Sequence, residues 1–229
     1  MNLFGIELTE LQEKQFKKYY ELLIYWNDRI NLTAITEYDE VLKKHFEDSI
    51  SIYKAINMEE INSIIDIGTG AGFPGIPIKI LFPHIKLTLL DSLNKRIKFL
   101  NLLIEELGLK DVETLHGRAE DFGKKSEYRE QYDLCVSRAV ANLSTLSELC
   151  IPFVKVGGKF ISYKSEKATE ELLNANNAIK VLGGGDIKIV DIFIPDTNYE
   201  RKLILIGKSV STNRKYPRKA GTPGKEPII

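Results

Sequence analysis

A glycine-dense segment over residues 66–75 points most directly to chemistry. The segment reads Asp-Ile-Gly-Thr-Gly-Ala-Gly-Phe-Pro-Gly and follows a short β-branched run. Because glycine has no Cβ, such a turn lets a ligand approach the backbone closely, and the helix that follows presents free N–H groups to it. The pattern predicts that Gly68, Gly70 and Gly72 bind a nucleotide-type cofactor at the end of a strand.

Two classes of cofactor compete for this segment. Gly70, Gly72 and Gly75 satisfy the G-x-G-x-x-G spacing of dinucleotide sites. Asp66 favours S-adenosylmethionine (SAM) instead, since a carboxylate there can hold an amino-acid ammonium but would repel a pyrophosphate. Asp91, at the end of the second strand, can accept hydrogen bonds from two ribose hydroxyls in either case. SAM is favoured, and an NAD(P)-dependent oxidoreductase stays open as an alternative.

Charged residues also follow the third and fourth predicted strands, at the edge where open α/β sheets bind ligands. In the segment 117–121, Glu120 is placed to accept from an adenine amine, although helix N-termini favour carboxylates in any case. Arg138 ends the fourth strand, where a buried guanidinium needs an anionic partner. The candidate partners are the methionine carboxylate of the cofactor and an RNA phosphate.

The loop after the fourth strand lacks the residues that several methylation reactions need. It reads SRAVANL over 137–143, without the Asn/Asp-Pro-Pro-aromatic motif typical of exocyclic amine acceptors. Cytosine C5 methylation requires a nucleophilic cysteine, whereas Cys135 and Cys150 are predicted to be buried, inert thiols. Guanine N7 needs neither a base nor a covalent step, so it is an attractive acceptor. We assign no catalytic residue and take Arg138 and Lys164 as candidates for positioning.

Alternating strands and helices after residue 61 must position these groups. Helices are expected between the first five strands and again at 166–181, which indicates βαβ crossovers and a mostly parallel sheet. A turn at 195–198 makes the last two strands an antiparallel hairpin. The fold class is therefore α/β and Rossmann-like. The seven predicted strands are 63–68, 86–91, 112–116, 132–137, 158–164, 187–194 and 201–208.

Residues 1–60 are predicted to form a helical extension. Thr9 and Gln12 have the spacing of a capping box at the start of a helix over 9–30, and a second helix is expected over 38–56. On the second helix His45 and Asp48 share a face, where they could pair with each other or contact RNA. The predicted division is a helical extension at 1–60, a SAM-binding domain at 61–208 and a basic arm at 209–229.

Composition limits the class of protein. The chain has 229 residues, of which 43% are hydrophobic and 28% charged, so it can bury a core and stay soluble. Its two cysteines support neither a disulfide framework nor a zinc site, and no metal is expected. Without a signal peptide or a long apolar run, we expect a cytoplasmic protein with no membrane partner. A net charge of zero argues against a general nucleic-acid binder, and no DNA partner is expected.

Positive charge is concentrated at the C-terminus. Residues 207–229 hold six Lys or Arg against one Glu, and the prolines and glycines of this segment are expected to preclude a helix. We therefore predict an extended arm that contacts RNA phosphates and not the cofactor, although a packed C-terminus is the competing interpretation. The candidate RNA contacts, in the arm and elsewhere, are His45, Asp48, Lys95, Arg96, Arg118, Lys164, Arg214, Lys215, Arg218, Lys219 and Lys225.

Several longer stretches resemble one known family, the bacterial 16S rRNA guanine-N7 methyltransferases, also called glucose-inhibited division protein B. The most specific stretches are LLDSLNKRIKFL at 89–100, SRAVANL at 137–143 and YPRKAGTPGKEPI at 216–228. NDRINLTAIT at 27–36, HFEDSI at 45–50 and GRAEDF at 117–122 agree as well. The resemblance covers most of the chain.

The resemblance implies a class I SAM-dependent methyltransferase fold with a helical N-terminal extension. It also implies methyl transfer to N7 of a guanine in 16S rRNA, with the rRNA or the 30S subunit as partner. The sequence does not determine the oligomeric state, for which a monomer is the expectation. The residues that match the family's cofactor contacts are Gly68, Phe73, Ala119, Glu120 and Arg138. A non-catalytic RNA-binding or ribosome-assembly protein is the remaining alternative.

Overall fold

The computed structural model describes residues 2–195, 197 and 200–229, and a seven-stranded sheet lies at its centre. Its strands are β3 (Ser63–Ile67), β4 (Lys86–Asp91), β5 (Val112–His116), β6 (Tyr132–Arg138), β7 (Val154–Lys164), β8 (Gly184–Phe193) and β9 (Glu200–Lys208). The strand order is β5-β4-β3-β6-β7-β9-β8. All neighbouring pairs are parallel except those that β9 makes with β7 and β8.

The predicted α/β, Rossmann-like sheet with its antiparallel final hairpin is confirmed, and each predicted strand overlaps an observed one. The turn predicted at 195–198 lies partly outside the described residues. The two-stranded hairpin of β1 (Asn2–Leu3) and β2 (Ile6–Glu7) was not predicted. Two-residue strands carry too short a pattern to be read from periodicity.

Helices connect the strands on both faces of the sheet. Helix α1 begins after Thr9, whose hydroxyl oxygen accepts the Gln12 N–H while the Gln12 side chain accepts the Thr9 N–H, so the predicted capping box is confirmed. The α-helices are α1 (Glu10–Ile30), α2 (Tyr38–Val41), α3 (Asp48–Ile50), α4 (Gly75–Leu81), α5 (Asn94–Glu106), α6 (Ala119–Phe122), α7 (Leu143–Cys150), α8 (Ala168–Val181) and α9 (Thr222–Lys225).

The second predicted helix is present but irregular. A π-helical stretch, Leu42–Glu47, joins α2 to α3, and a 3₁₀ turn at Ser51–Lys54 ends the run. The π-helical geometry widens the backbone at His45, and such segments occur frequently at functional sites.

Side chains alternate between two cores, one on each face of the sheet. Ile64 packs in the core that also contains Phe16 and Phe46 of the N-terminal helices, whereas Ile65 packs with Leu146 on the other face. Burial on both faces explains why consecutive residues of these strands are apolar, Ile64–Ile65 in β3 and Leu134–Val136 in β6. The N-terminal helices thus share a core with the sheet, while the division into three units remains a prediction.

The C-terminal segment is packed against the sheet domain, so the prediction of an extended arm is wrong. It contains the short helix α9, with Pro223 in the first turn, where proline is tolerated. Pro223 is buried, and its carbonyl accepts a hydrogen bond from the Thr145 hydroxyl at 3.0 Å. The competing interpretation, that this segment packs back, is the one observed. No helix in the described part of the chain has the length and apolar character needed to cross a bilayer.

Candidate active site

The glycine loop after β3 is held against the end of β4. Gly68, Gly70 and Gly72 have φ values of 70°, 63° and 101°, in the left-handed region that glycine enters without strain. The Gly68 N–H donates to the Leu90 carbonyl at 2.8 Å, and the Gly70 N–H donates to Asp91 Oδ2 at 2.9 Å. These bonds place the loop over the carboxyl ends of two neighbouring strands.

Asp66 lies fully buried beneath this loop. Its Oδ2 accepts the Thr69 hydroxyl at 2.7 Å and the Gly75 N–H at 2.9 Å, while its Oδ1 is buried without a hydrogen-bond partner. Burial raises the pKa of this carboxyl to about 7. A buried carboxylate oxygen that lacks a donor fits a cationic group such as the ammonium of SAM.

A cavity of about 260 Å³ opens beside the glycine loop, and we call it the cofactor cavity. Of the predicted cofactor residues, it is lined by Gly68, Asp91, Ala119 and Glu120. The further lining residues are Ile67, Leu90, Ser92, Arg96, Gly117, Arg118, Ala139, Val140 and Leu149. Four of the predicted cofactor residues, Asp66, Gly70, Gly72 and Phe73, lie in or beneath the loop and do not line the cavity, and Arg138 faces a neighbouring cavity.

Asp91 is buried at the floor of the cofactor cavity and already organises its surroundings. Its Oδ1 accepts the Leu93 N–H at 2.9 Å, and its Oδ2 accepts from Gly70 and from Arg96 Nη1 at 3.2 Å. Arg96, predicted as an RNA contact, thus lies in the cofactor cavity and is paired with Asp91. Asp91 therefore fixes the glycine loop as well as being available to a ribose.

Glu120 is buried on the opposite side of the cofactor cavity. Its Oε1 accepts the Gly221 N–H at 2.8 Å and Arg118 Nη2 at 3.3 Å. Arg118 is about half exposed and lines the cavity mouth, where it can also meet a phosphate. The C-terminal segment thus reaches a residue that the sequence assigns to adenine.

Arg138 has a protein carboxylate as its partner. Its Nη1 donates to Asp48 Oδ2 at 2.6 Å and to the Lys44 carbonyl at 3.3 Å. Arg201 donates to both oxygens of the same carboxylate, with 3.0 Å between Nη2 and Oδ2. The sequence led us to expect a ligand anion as the partner of Arg138, whereas the structure supplies the fully buried Asp48, which Arg138 shares with Arg201.

A second cavity, of about 330 Å³, lies beside this carboxylate and is called the basic cavity. Four of its lining residues are cationic, namely Lys44, Arg138, Lys164 and Arg201, and the others are Ile35, His45, Ala139, Tyr163 and Ser165. Ala139, at a left-handed φ of 56°, lines both cavities. A strained non-glycine residue therefore lies where the two cavities meet.

His45 and Phe73 stack at the wall shared with the N-terminal helices. Their ring centroids lie 4.6 Å apart, and Tyr19 stacks on Phe73 at 5.2 Å. The Tyr19 hydroxyl donates to the Ala71 carbonyl at 2.6 Å, so α1 is tied to the glycine loop. Burial, together with the positive charge of Arg138, lowers the pKa of His45 to about 4. His45 forms a hydrogen bond with Thr33 and not with Asp48. His45 and Asp48 each contact Arg138.

The remaining predicted RNA contacts are dispersed. Lys95 is exposed on α5, while Lys164 Nζ lies 2.7 Å from both the Ala141 carbonyl and Glu171 Oε2. Arg218 forms an ion pair with the buried Glu148, so it is not a free cation for a phosphate. The other four cations of the C-terminal segment are exposed, and they are Arg214, Lys215, Lys219 and Lys225.

Sequence reasoning missed Arg201. It lies 153 residues from Asp48, so no local spacing links them. The signal that could have found it is topological: β9 runs antiparallel to β7, so the start of β9 lies beside the carboxyl end of β7, at the ligand edge. Cys135 and Cys150 are both buried free thiols, as predicted. Within the described residues no cluster of metal-ligating side chains was found.

The sheet order, the glycine loop and the buried acids define a class I SAM-dependent methyltransferase. Its fold is similar to a SAM-dependent methyltransferase from Aquifex aeolicus, with a TM-score of 0.53 at 17% identity over 73% of this chain and 92% of that chain. It is also similar to P. horikoshii TYW2 in complex with MeSAdo, with a TM-score of 0.56 at 15% identity over 72% and 63% of the two chains.

The sequence profile of the family "GidB: rRNA small subunit methyltransferase G" matches residues 12–200, and the chain belongs to this family. A relative of that name from Lactococcus lactis subsp. lactis is 54% identical over 98% of this chain and 94% of its own length. One from Clostridium botulinum is 52% identical over 99% and 95% of the two chains. The family resemblance seen in the sequence is confirmed.

Proposed function

We propose that this protein transfers the methyl group of SAM to N7 of a guanine in 16S rRNA. The family supports a SAM-dependent methyltransferase of small-subunit rRNA and does not favour an oxidoreductase or a non-catalytic protein. The proposed position of the acceptor guanine rests on one observation: the two cavities meet at Ala139, which lines both of them. One cavity offers carboxylates to a cationic cofactor, and the other offers cations to a polyanion.

The residues around the cofactor cavity fit SAM. Asp66 Oδ1 lacks a hydrogen-bond donor, Asp91 is placed for ribose hydroxyls, and Glu120 is placed for an adenine amine. Gly68 lies directly against Val140, and a Cβ there would come within 2.6 Å of Val140 Cγ2. When bound, SAM supplies an electrophilic methyl group on a sulfonium. Val140 lines the cofactor cavity, and Ala139 lines both this cavity and the basic cavity.

The basic cavity suits the RNA. Lys44 and Lys164 line it together with the Arg138–Asp48–Arg201 cluster, and these two lysines also contact Glu40 and Glu171, respectively. Cations arranged in this way attract and orient a phosphate backbone, a contribution that is independent of base sequence. Exposed cations elsewhere, including Lys95, Lys219 and Lys225, are placed to contact further phosphates of 16S rRNA or of the 30S subunit.

The chemistry requires no general base. The N7 lone pair of guanine carries no proton, so the carbon–sulfur bond breaks as the carbon–N7 bond forms, and the positive charge moves from sulfur to the guanine. His45 is neutral near pH 7 because its pKa is lowered to about 4, and its Nε2 is engaged with the Thr33 hydroxyl. The protein therefore acts by holding the two reactants in line.

Transfer of tritium from methyl-labelled SAM tests this proposal. The protein is incubated with purified 16S rRNA, with 30S subunits and with 23S rRNA as a control, and the RNA is then digested to nucleosides. We expect label in 7-methylguanosine from at least one of the first two substrates and none from 23S rRNA. Label confined to an adenosine or a cytidine would overturn the choice of N7. Calorimetric heat with NAD and none with SAM would overturn the cofactor.

A further inference from the structure

Residues 216–226 form a segment that returns from β9 to the outer side of the cofactor cavity. Arg218 anchors it through a two-pronged ion pair with Glu148 of α7, with 3.0 Å from Nε and 2.7 Å from Nη2 to Oε2. The Arg218 N–H donates to Glu148 Oε1 at 2.7 Å. Glu148 is only 1% exposed, so this is a buried carboxylate fully engaged by one residue.

Two further contacts fix the rest of the segment. Arg129 Nη1 donates to the carbonyls of Gly123 and Tyr216 at 2.9 and 2.8 Å, which joins the end of α6 to the start of the segment. At its other end the Thr145 hydroxyl donates to the Pro223 carbonyl. Between these anchors, Gly221 has a φ of 85° and points its N–H at Glu120.

The carboxylate that receives this N–H lines the cofactor cavity. Glu120 is 2% exposed, and its Oε1 accepts from Gly221 and from Arg118. A buried carboxylate needs donors to remain charged and in one orientation. Arg118 is half exposed and its contact is 3.3 Å long, so Gly221 supplies the shorter and better shielded of the two bonds.

We propose that residues 216–226 form the support of the adenine end of the cofactor cavity, with Arg218 as a positioning residue that acts through Gly221 on Glu120. The inference rests on the proposed function, because it takes this cavity as the SAM site. It departs from the expectation that the C-terminal segment leaves the cofactor unaffected. Arg218 does not line the cavity, so its effect on SAM must pass through the segment.

Calorimetric titration of SAM into the full-length protein and its variants tests the proposal. Gly221→Ala disfavours the left-handed backbone that aims the N–H, and we expect its Kd for SAM to rise about fivefold. Gly224→Ala is the matched control, because Gly224 has an ordinary φ and open space around its Cα; its Kd should match that of wild type. Arg218→Gln removes the anchor and should raise Kd about tenfold or more.

A thermodynamic cycle separates positioning from a general loss of structure. In a Glu120→Ala background, Gly221→Ala should change Kd by less than about twofold, since the side-chain oxygen that accepts the Gly221 N–H is gone. Melting curves without SAM identify any variant that fails to fold. If Arg218→Gln fails to fold, the Kd of Gly221→Ala tests the inference. A wild-type Kd in folded Gly221→Ala, or an undiminished effect in the Glu120→Ala background, would overturn the inference. Failure of the wild-type protein to bind SAM would overturn the proposed function with it.

Discussion

The two cavities are assembled in different ways. The cofactor cavity uses residues that end consecutive strands between β3 and β6, so its groups lie close to recognisable sequence patterns. The basic cavity is centred on Asp48, whose partners Arg138 and Arg201 are 90 and 153 residues away. The cofactor cavity is built on backbone turns, whereas the basic cavity is built on side chains from three parts of the chain.

Their buried carboxylates show the same contrast. Asp48 is matched by two guanidinium groups, whereas Asp66 retains an oxygen without a partner. A buried ion pair is neutralised within the protein, while a buried carboxylate lacking a donor is costly until a ligand provides one. The Asp48 cluster is therefore held together by bonds within the protein, whereas the cofactor cavity is completed by its ligand.

Breaking the Asp48 cluster should have the largest effect. Asp48→Ala leaves two largely buried arginines without their carboxylate, and we expect the free energy of unfolding to fall by about 3–5 kcal/mol. Urea denaturation measures it. Asp39→Ala, on the exposed side of α2, is the control and should change the unfolding free energy by less than about 0.5 kcal/mol. A loss below about 1 kcal/mol for Asp48→Ala would show that the cluster does not hold these elements together.

Substitution of Asp66 should raise the free energy of unfolding, whereas substitution of Asp48 lowers it, and the size of the Asp66 effect should depend on pH. Because burial raises its pKa from 3.8 to about 7, the folded state holds a proton that the unfolded state has released. Its contribution to stability is thus present below about pH 4 and is lost as the pH rises to about 7. Asp66→Asn removes this loss. Above pH 7 the variant should therefore unfold at a higher urea concentration than wild type, with a free energy of unfolding that is greater by up to about 4 kcal/mol.

The two proteins should differ by less than about 1 kcal/mol near pH 4, since the folded-state Asp66 side chain is neutral there and the unfolded chain has only begun to ionise. SAM affinity should nevertheless be lower in Asp66→Asn, because the ammonium loses its carboxylate. Urea midpoints measured without SAM from pH 4 to 8, followed by SAM titrations at pH 8, check both expectations. A variant that is less stable than wild type at pH 8 would contradict the account of a buried, partly unpartnered carboxylate.

Asp91→Asn should impair the cofactor cavity and leave the basic cavity unaffected. The substitution weakens the bonds to Gly70 and Arg96 and the bonds expected from ribose hydroxyls, which together are worth about 2–3 kcal/mol. We expect SAM affinity measured by calorimetry to fall 30- to 100-fold, with the KM for 16S rRNA unchanged. Unchanged SAM affinity would show that the ribose assignment is wrong.

Arg201→Gln should impair rRNA binding and leave SAM binding nearly unchanged. Its effect should be smaller than that of Asp91→Asn. It removes one cation from the basic cavity and leaves Arg138 on Asp48, so we expect the KM for rRNA to rise about tenfold at 0.1 M salt. SAM affinity should stay within about twofold of wild type, and the salt dependence of rRNA binding should become shallower. A loss of SAM affinity equal to the loss for rRNA would contradict the separation of the two cavities.

These contrasts also explain what the sequence could predict. Periodicity and turn residues located every strand of the large sheet, and two residues predicted to bind the cofactor, Gly70 and Asp91, are in contact. The role of Arg201 depends on the antiparallel return of β9, which places residues in contact without any local pattern. Arg218 was read as a free cation because its partner Glu148 is 70 residues away. Composition shows charge but not which charges are already paired.

The pH dependence of the chemical step tests the central claim most directly. The claim is that methyl transfer occurs between the two cavities by positioning alone, onto an atom that loses no proton. Single-turnover rates are measured from pH 6.5 to 9 with SAM and 16S rRNA both saturating, so that titration of Asp66 affects binding and not the rate. The account predicts a rate constant that changes by less than about twofold. A bell-shaped profile, or a tenfold rise per pH unit, would demonstrate a general base and contradict transfer to guanine N7.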